Sequence, residues 1–177
     1  IHGPIIGNVI DNCSESLISL SSKALKQMDL FNAIYSMNTA QNIKEFSDAV
    51  DLIIAPQLNV AYADNSGNIS LFVTGRVPIR KQGDGQLPVK GWTGEYDWIG
   101  EIPIAEMPKS INPDKGYLIS CNNKVIDDSY PYYLGNSFMN GFRAARIERV
   151  FSTLDEISID QCKELHLDVY SIPAEMF

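Results

Sequence analysis

Two adjacent side-chain amides, Asn122 and Asn123, are the residues of this sequence best placed for chemistry. They follow a Pro/Gly turn at residues 112–116 and the β-prone run Tyr117-Leu118-Ile119-Ser120. An uncharged amide held at the end of a strand can donate hydrogen bonds to a developing oxyanion. The sequence therefore predicts a strand that places Asn122 or Asn123 as an oxyanion donor.

A row of arginines at three-residue spacing, Arg143, Arg146 and Arg149, lies in a helical pattern over residues 141–152. Such a row either clamps an acidic ligand or lies on a solvated, salt-bridged helix face, and the second arrangement is commoner. One member can still turn inward. We expect Arg143 to be a charged group that orients the site.

Other catalytic and metal-binding patterns are weak. His2 and His166 lack a metal-ligand pattern, the carboxylates are scattered and no Gly-x-Ser-x-Gly elbow occurs, although a Ser-His-Asp triad remains open because its members need not be neighbours. The three cysteines have no zinc spacing and are odd in number. The oxygen-rich segment at residues 64–68 suggests either a calcium loop or a turn, and the lack of a closing carboxylate downstream favours the turn. We expect no metal and no cofactor.

Charge and hydropathy limit the possible partners. Lys and Arg number 14 against 22 Asp and Glu, so the net charge is −8, and the longest basic run is the pair Arg80-Lys81. A chain of this charge repels a phosphate backbone or an anionic membrane, so we expect neither nucleic acid nor a membrane as partner. No apolar run approaches the ~20 residues that span a bilayer. The chain opens on Ile1, in a β-prone segment without lead-in, so we expect an excerpt of a longer protein. The sequence does not indicate the cellular compartment of the protein.

Apolar periodicity and turn signals predict an α+β fold without an internal domain boundary in residues 1–177. The predicted elements are one or two short strands over 1–10, a strand over 17–20, a helix over 25–37, a helix from the Asn42 cap to Pro56, a hairpin over 58–74, a helix over 141–152, and a last helix from the Ser158 and Gln161 capping box to Pro173. Residues 75–113 lack strong periodicity and are predicted to be largely irregular.

Three aromatic residues in that irregular segment, Trp92, Tyr96 and Trp98, offer an alternative function. They could form the platform of a non-catalytic ligand-binding module. The commoner arrangement is that Trp92 and Trp98 anchor the loop by burying apolar area. The residues alone do not decide between these readings.

The order of short motifs along the chain resembles the middle of the catalytic β chain of the penicillin acylase (penicillin amidase) family. The matching motifs are His2-Gly3-Pro4-Ile5, Asn59, Tyr62-Ala63-Asp64, Gly67-Asn68-Ile69, Gly75-Arg76-Val77-Pro78-Ile79-Arg80, Gly83-Asp84-Gly85, Leu87-Pro88-Val89, Gly91-Trp92-Thr93-Gly94-Glu95-Tyr96-Asp97-Trp98, Ile102-Pro103, Asn112-Pro113, Gly116-Tyr117, Asn122-Asn123 and Arg143-Ala144-Ala145-Arg146-Ile147.

The resemblance implies a fragment of the αββα sandwich of N-terminal-nucleophile hydrolases, which cleave the amide bond of N-acylated small molecules. In that family a Ser at the β-chain N-terminus forms an acyl-enzyme, with its own α-amine as base through a water. By motif position, Asn122 matches the side-chain oxyanion donor and Arg143 the orienting arginine, with Asn123 and Tyr117 in support.

The departures from the family concern parts that this chain does not carry. The resemblance places the nucleophile, and the backbone oxyanion donor with it, upstream of Ile1, which has no hydroxyl or thiol of its own. The chain alone is therefore expected to be inactive, with the α chain and the N-terminal part of the β chain as partners. Relatives often bind calcium and are often exported; here only Asp127 and Asp128 lie near the matching region, which argues against calcium.

Overall fold

The computed structural model describes residues 2–7, 17–175 and 177 of the 177-residue chain. Within these residues the strands predicted over 1–10 and 17–20 meet in one antiparallel bridge between Ile5 and Ser19. The Ile6 amide donates to the Ile18 carbonyl at 2.7 Å, and the Leu20 amide donates to the Pro4 carbonyl at 2.9 Å. The remainder of the first prediction, residues 1 and 8–10, lies outside the described residues.

Helices and two antiparallel sheets make up the described chain, so the α+β prediction is confirmed. The helices are α1 (Leu30–Thr39), α2 (Ile43–Val50), α3 (Phe142–Phe151), α4 (Ile159–His166) and α5 (Ile172–Glu175), with short 3-10 turns at Lys23–Leu25 and Ile104–Glu106. The strands are β1 (Asn59–Ala63), β2 (Ile69–Val73), β3 (Pro78–Arg80), β4 (Trp98–Glu101) and β5 (Lys109–Ile111). No helix among the described residues is long and apolar enough to cross a membrane.

The larger sheet has the order β1-β2-β5, and its first two strands are the predicted hairpin. The hairpin loop is closed by the Asp64 carboxylate, which accepts hydrogen bonds from the Ser66 and Asn68 amides at 2.9 Å each. The same carboxylate accepts from the Asn68 side chain at 2.8 Å and from the Tyr62 hydroxyl at 2.9 Å. These donors lower the pKa of Asp64, with the Asn68 contacts contributing most. Turn chemistry thus accounts for this oxygen-rich loop.

Residues 75–113 are largely irregular, as predicted, but they contain three short strands that the sequence did not reveal. Strands β3 and β4 pair with each other, and β5 joins the free edge of β2 with Phe72 opposite Lys109. These strands are only three or four residues long, too short to show periodicity, and the partner of β3 lies beyond the loop at residues 81–97. A buried hydrophobic cluster is formed by Val73, Val77, Ile102 and Met107, which come from the end of β2 and from the connecting segments beside β3, β4 and β5.

The strand predicted for residues 117–120 is also wrong, because this segment lies in neither sheet. Strand β5 ends at Ile111, and the next residue, Asn112, has a left-handed backbone with φ at 45°. The segment that follows reaches β1 through a side chain, since the Asn59 amide donates to the Ser120 hydroxyl at 2.8 Å. β-prone residues form a strand only where a backbone ladder is available to them.

The first helix begins five residues later than predicted. Leu25 belongs to a 3-10 turn, and α1 starts after Asp29, whose carboxylate caps the Asn32 amide at 3.0 Å. The buried face expected for this helix is small: Ala33 is buried, while Phe31 is 81% exposed. Described residues therefore do not cover the apolar side of α1.

The capping predictions for α2 and α4 are confirmed, but the predicted ends of these helices are wrong. Asn42 caps the Glu45 amide at 2.9 Å, and α2 ends at Val50 rather than at Pro56. Ser158 and Gln161 form a reciprocal capping box. Helix α4 ends at His166, and Pro173 falls in the first turn of α5, where its missing N–H costs nothing. Helix α3 matches its predicted range to within one residue at each end.

Candidate functional site

The structure brings Asn122 and Arg143 into direct contact. Arg143, in the first turn of α3, donates from Nη2 to the Asn122 Oδ1 at 2.6 Å and to the Cys121 carbonyl at 2.7 Å. Asn122 itself is in a left-handed conformation with φ at 60°, which asparagine tolerates better than most residues. Its carbonyl accepts from the Met139 amide at 2.8 Å. Both the backbone and the side chain of Asn122 are thus fixed.

The contact with Arg143 determines which atom of the Asn122 amide is available to a ligand. A guanidinium has donors only, so the atom it contacts must be the amide oxygen. The amide nitrogen is left as the outward donor, and within the described part of the chain Nδ2 has no hydrogen-bond partner. The arrangement presents an N–H donor, as an oxyanion site requires.

Asn123 is engaged at both ends of its amide. Its Oδ1 accepts from the Cys121 amide at 3.0 Å, and its Nδ2 donates to the Lys124 carbonyl at 3.0 Å. These two bonds close the turn that carries Asn122. The sequence alone offered either Asn122 or Asn123 as the hydrogen-bond donor. The geometry favours Asn122, because both polar atoms of the Asn123 amide are used to hold the turn.

Tyr117 contacts the same helix as Asn122 does, but near its other end. Its hydroxyl donates to Glu148 Oε1 at 2.8 Å, and Lys115 donates to Glu148 Oε2 at 3.2 Å. The hydrogen bond from Tyr117 is the main cause of a lowered pKa of Glu148, and the same bond is the main cause of a raised pKa of Tyr117. The Tyr117 ring also packs edge-on against Phe151, with the centroids 5.3 Å apart. Tyr117 therefore holds the chain just before Asn122 against α3. It is not among the residues that line the cleft beside Asn122.

That cleft has a volume of about 420 Å³. Asn122, Asn123, Asn59 and Ser120 supply polar atoms at its wall. Its apolar lining is Leu58, Val73, Val125, Leu134 and Phe138. A polar donor beside an apolar wall suits a ligand with one polar group and a hydrocarbon portion.

A wider cleft of about 590 Å³ adjoins the first, because Gln57, Leu134, Ser137 and Phe138 line both. Of the three aromatic residues in the alternative function, Trp98 alone lines it. Trp92 is 84% exposed, so the expectation that it anchors the loop is wrong within the described chain. Trp98 is half-buried, with Lys23 Nζ 5.2 Å from its ring centroid.

The other two arginines of the row on α3 form ion pairs with acidic side chains. Arg146 contacts Asp168 at 2.7 Å, and Arg149 contacts Glu175 at 2.9 Å. The pKa of Asp168 is lowered, first by the Tyr170 backbone amide and then by Arg146. The row is therefore a salt-bridged helix face, with Arg143 as the member that turns toward the site.

The described residues contain no group of three His, Cys, Asp or Glu side chains that could hold a metal ion. Asp127 accepts hydrogen bonds from Ser129, and Asp128 pairs with Lys124. His166 is exposed at the end of α4.

Sequence reasoning did not identify Glu148, Lys115 or Met139 as neighbours of the site. Glu148 follows Tyr117 by 31 positions, and nothing local in the sequence indicates that the two side chains meet. The one available signal is that Glu148 is the single acid within the arginine-rich stretch 143–149.

Comparisons with known proteins agree with one another. The family model described as penicillin amidase matches residues 1–177. The penicillin acylase 2 proenzyme of Pseudomonas sp. (strain SE83) is 32% identical over 171 residues, 96% of this chain. An acyl-homoserine lactone acylase, QuiP of Pseudomonas fluorescens (strain Pf-5), is 34% identical over 154 residues, 86% of this chain. Among solved structures, the penicillin G acylase of Alcaligenes faecalis matches 75% of this chain with a TM-score of 0.64 and 28% identity.

The chain is much shorter than these relatives. It spans 22% of the Pseudomonas proenzyme and 19% of the lactone acylase. It covers 24% of the solved penicillin G acylase chain.

Proposed function

The chain belongs to the penicillin amidase family, and we propose that it supplies Asn122 as the side-chain oxyanion donor of an amide-cleaving enzyme. Its fold is that of an N-terminal-nucleophile hydrolase. The observation that carries the proposal is the 2.6 Å contact between Arg143 and the Asn122 Oδ1. This contact orients the amide so that Nδ2 is the free donor, on a residue that lines a partly apolar cleft.

The proposed reaction is acyl transfer to a serine hydroxyl supplied from outside residues 1–177. The serine oxygen bonds to the amide carbon, and the carbonyl oxygen becomes an oxyanion beside Asn122. The serine proton passes through the α-amine of that serine to the departing amine as the C–N bond breaks. Water then hydrolyses the acyl-enzyme to a carboxylic acid. Asn122 Nδ2 donates to the oxyanion in both halves of the reaction, and Arg143 holds the amide in place.

The proposed substrates are N-acylated small molecules. The apolar side chains of the smaller cleft, Leu58, Leu134 and Phe138, suit the hydrocarbon part of such a substrate, and the cleft volume lies within the range of small-molecule sites. The relatives are named as acylases of penicillin and of acyl-homoserine lactones, both of which carry an amide between an acyl group and a small amine. We propose the same bond class for this chain.

We further propose that the site is completed by the rest of an acylase, its α chain and the N-terminal part of its β chain. The exposed apolar residues of α1, Phe31, Ile34 and Tyr35, support this arrangement because they offer a face for another part of the protein to cover. The chain's small share of its relatives' length supports it as well.

The test of the proposed function is the substitution Asn122→Ala in the full-length acylase that contains this chain. Turnover should fall by roughly 10²- to 10³-fold, the usual effect of losing one oxyanion donor. The KM should change by less than about threefold, because the donor acts mainly in the transition state. Steady-state kinetics on a chromogenic N-acyl amide measure both constants.

The matched control is Asn65→Ala in the exposed loop of the β1–β2 hairpin, which should leave kcat and KM unchanged. An Asn122→Ala enzyme that retains wild-type turnover would remove Asn122 from the oxyanion site.

A further inference from the structure

Helix α3 contacts the segment that carries Asn122, residues 115–122, at two separate points. Arg143 holds the end of the segment, at Cys121 and Asn122, and Glu148 holds its beginning, at Lys115 and Tyr117. The two helix residues are five positions apart, so their backbones are separated by roughly 7.5 Å along the helix axis. One rigid element therefore fixes both ends of the segment.

Glu148 uses both of its carboxylate oxygens in this contact. Oε1 accepts the Tyr117 hydroxyl at 2.8 Å, and Oε2 accepts the Lys115 ammonium at 3.2 Å. The two donors also contact each other, because Lys115 Nζ lies 4.7 Å from the centroid of the Tyr117 ring. Glu148 on α3 thus binds both Lys115 and Tyr117, the two side chains at the start of the segment.

The segment depends on such contacts because it has no backbone ladder. Residues 117–120 lie in neither sheet, so side chains rather than strand pairing hold the path from Lys115 to Asn122. An oxyanion donor must lie within about 2.7–3.1 Å of the developing charge. A displacement of about 1 Å at a reacting group can cost up to ~10²-fold in rate.

From these contacts we infer that Glu148 is a positioning residue for Asn122. It acts through Tyr117 and Lys115 and makes no contact with substrate. The inference rests on the proposed function, since it concerns the placement of the same oxyanion donor. A role in stability alone is the competing account: the Glu148 and Lys115 side chains are 48% and 46% exposed, and ion pairs so exposed add little to stability.

The experiment measures kcat, KM and thermal unfolding for Glu148→Ala, Glu148→Gln and Tyr117→Phe in the full-length acylase. Glu148→Ala and Tyr117→Phe should each lower kcat by about 5- to 50-fold while KM stays within about twofold. Glu148→Gln keeps an acceptor for the Tyr117 hydroxyl and should retain at least about a third of wild-type kcat. Glu175→Ala is the matched control, because it removes an equally exposed ion pair from the same helix, and its kcat should be unchanged.

A double-mutant cycle with Asn122→Ala tests whether Glu148 acts through Asn122. In the Asn122→Ala background, Glu148→Ala should cost less than about twofold in kcat, because the donor that it positions is absent. An equal loss in both backgrounds would overturn the inference, as would wild-type kcat in both Glu148→Ala and Tyr117→Phe. A harmless Asn122→Ala substitution would instead overturn the proposed function, so the two failures are distinguishable.

Discussion

At the residue scale, Asn122 and Asn123 differ in which amide atoms are already used. Both atoms of the Asn123 amide are bonded to the backbone of the same turn, whereas Asn122 gives its oxygen to Arg143. Arg143 is suited to this task because a guanidinium carries donors only and cannot accept a hydrogen bond. The contact with Arg143 therefore leaves Nδ2 as the donor atom of the Asn122 amide.

We predict that the stability of the β1–β2 hairpin depends on pH through Asp64. The pKa of Asp64 is lowered chiefly by hydrogen bonds from Asn68. A lowered pKa in the folded state means that the carboxylate stabilises the hairpin fully above its ordinary pKa of 3.8. That contribution is lost as the pH falls through the lower folded value. Amide hydrogen exchange of residues 59–73 in the full-length protein, corrected for intrinsic rates, should show protection falling in that acidic range.

The Asp64→Ala variant should exchange faster than wild type at neutral pH and should lack the acid-dependent step. Asn65→Ala, in the same exposed loop, is the control and should follow the wild-type profile. Equal protection in the wild type and in Asp64→Ala at neutral pH would show that the carboxylate does not hold the turn.

At the element scale, the features that the sequence predicted well have signals within a few residues. The β1–β2 hairpin has two alternating runs around a Gly-containing loop, and the starts of α2 and α4 have capping residues three positions from their partners. The alternation and the caps act locally, so a single sequence reveals them.

Elements whose partners are distant in sequence were not predictable in the same way. Strand β3 pairs with β4 across residues 81–97, and the β-prone run at residues 117–120 finds no strand edge at all. The start of α1 was misplaced because Leu25 and Met28 continue its apolar spacing although the Asp29 cap follows them. Local spacing could not show where tertiary contacts end an element.

The residues of the candidate site also differ in whether the sequence alone could identify them. The residues alone predicted Asn122 or Asn123 as donor and Arg143 as orienting group, and the resemblance to a family singled out Asn122. Their roles stay predictions, but the structure brings the side chains of Asn122 and Arg143 together. Glu148 could not be found, because its link to Tyr117 exists only once α3 has packed beside the segment.

At the scale of the whole molecule, the described chain holds the Asn122 amide beside a cleft but spans about a fifth of the length of its curated relatives. We predict that residues 1–177, purified alone, hydrolyse no chromogenic N-acyl amide, while the full-length acylase does. The physical reason is that an oxyanion donor without an activated nucleophile lowers no barrier to acyl transfer. Turnover by the isolated chain, with loss of that turnover in Asn122→Ala, would contradict this account.

The most direct test of the central claim is the affinity of the full-length acylase for a tetrahedral analogue, such as a boronic acid that bonds to the nucleophile. Such an analogue places an oxygen where the oxyanion forms, whereas the carboxylic acid product does not reproduce that geometry. We predict that Asn122→Ala weakens binding of the analogue by roughly 10²-fold, in parallel with kcat, and leaves product binding within about threefold. Equal affinity of wild type and Asn122→Ala for the analogue would contradict the claim that Asn122 stabilises the oxyanion.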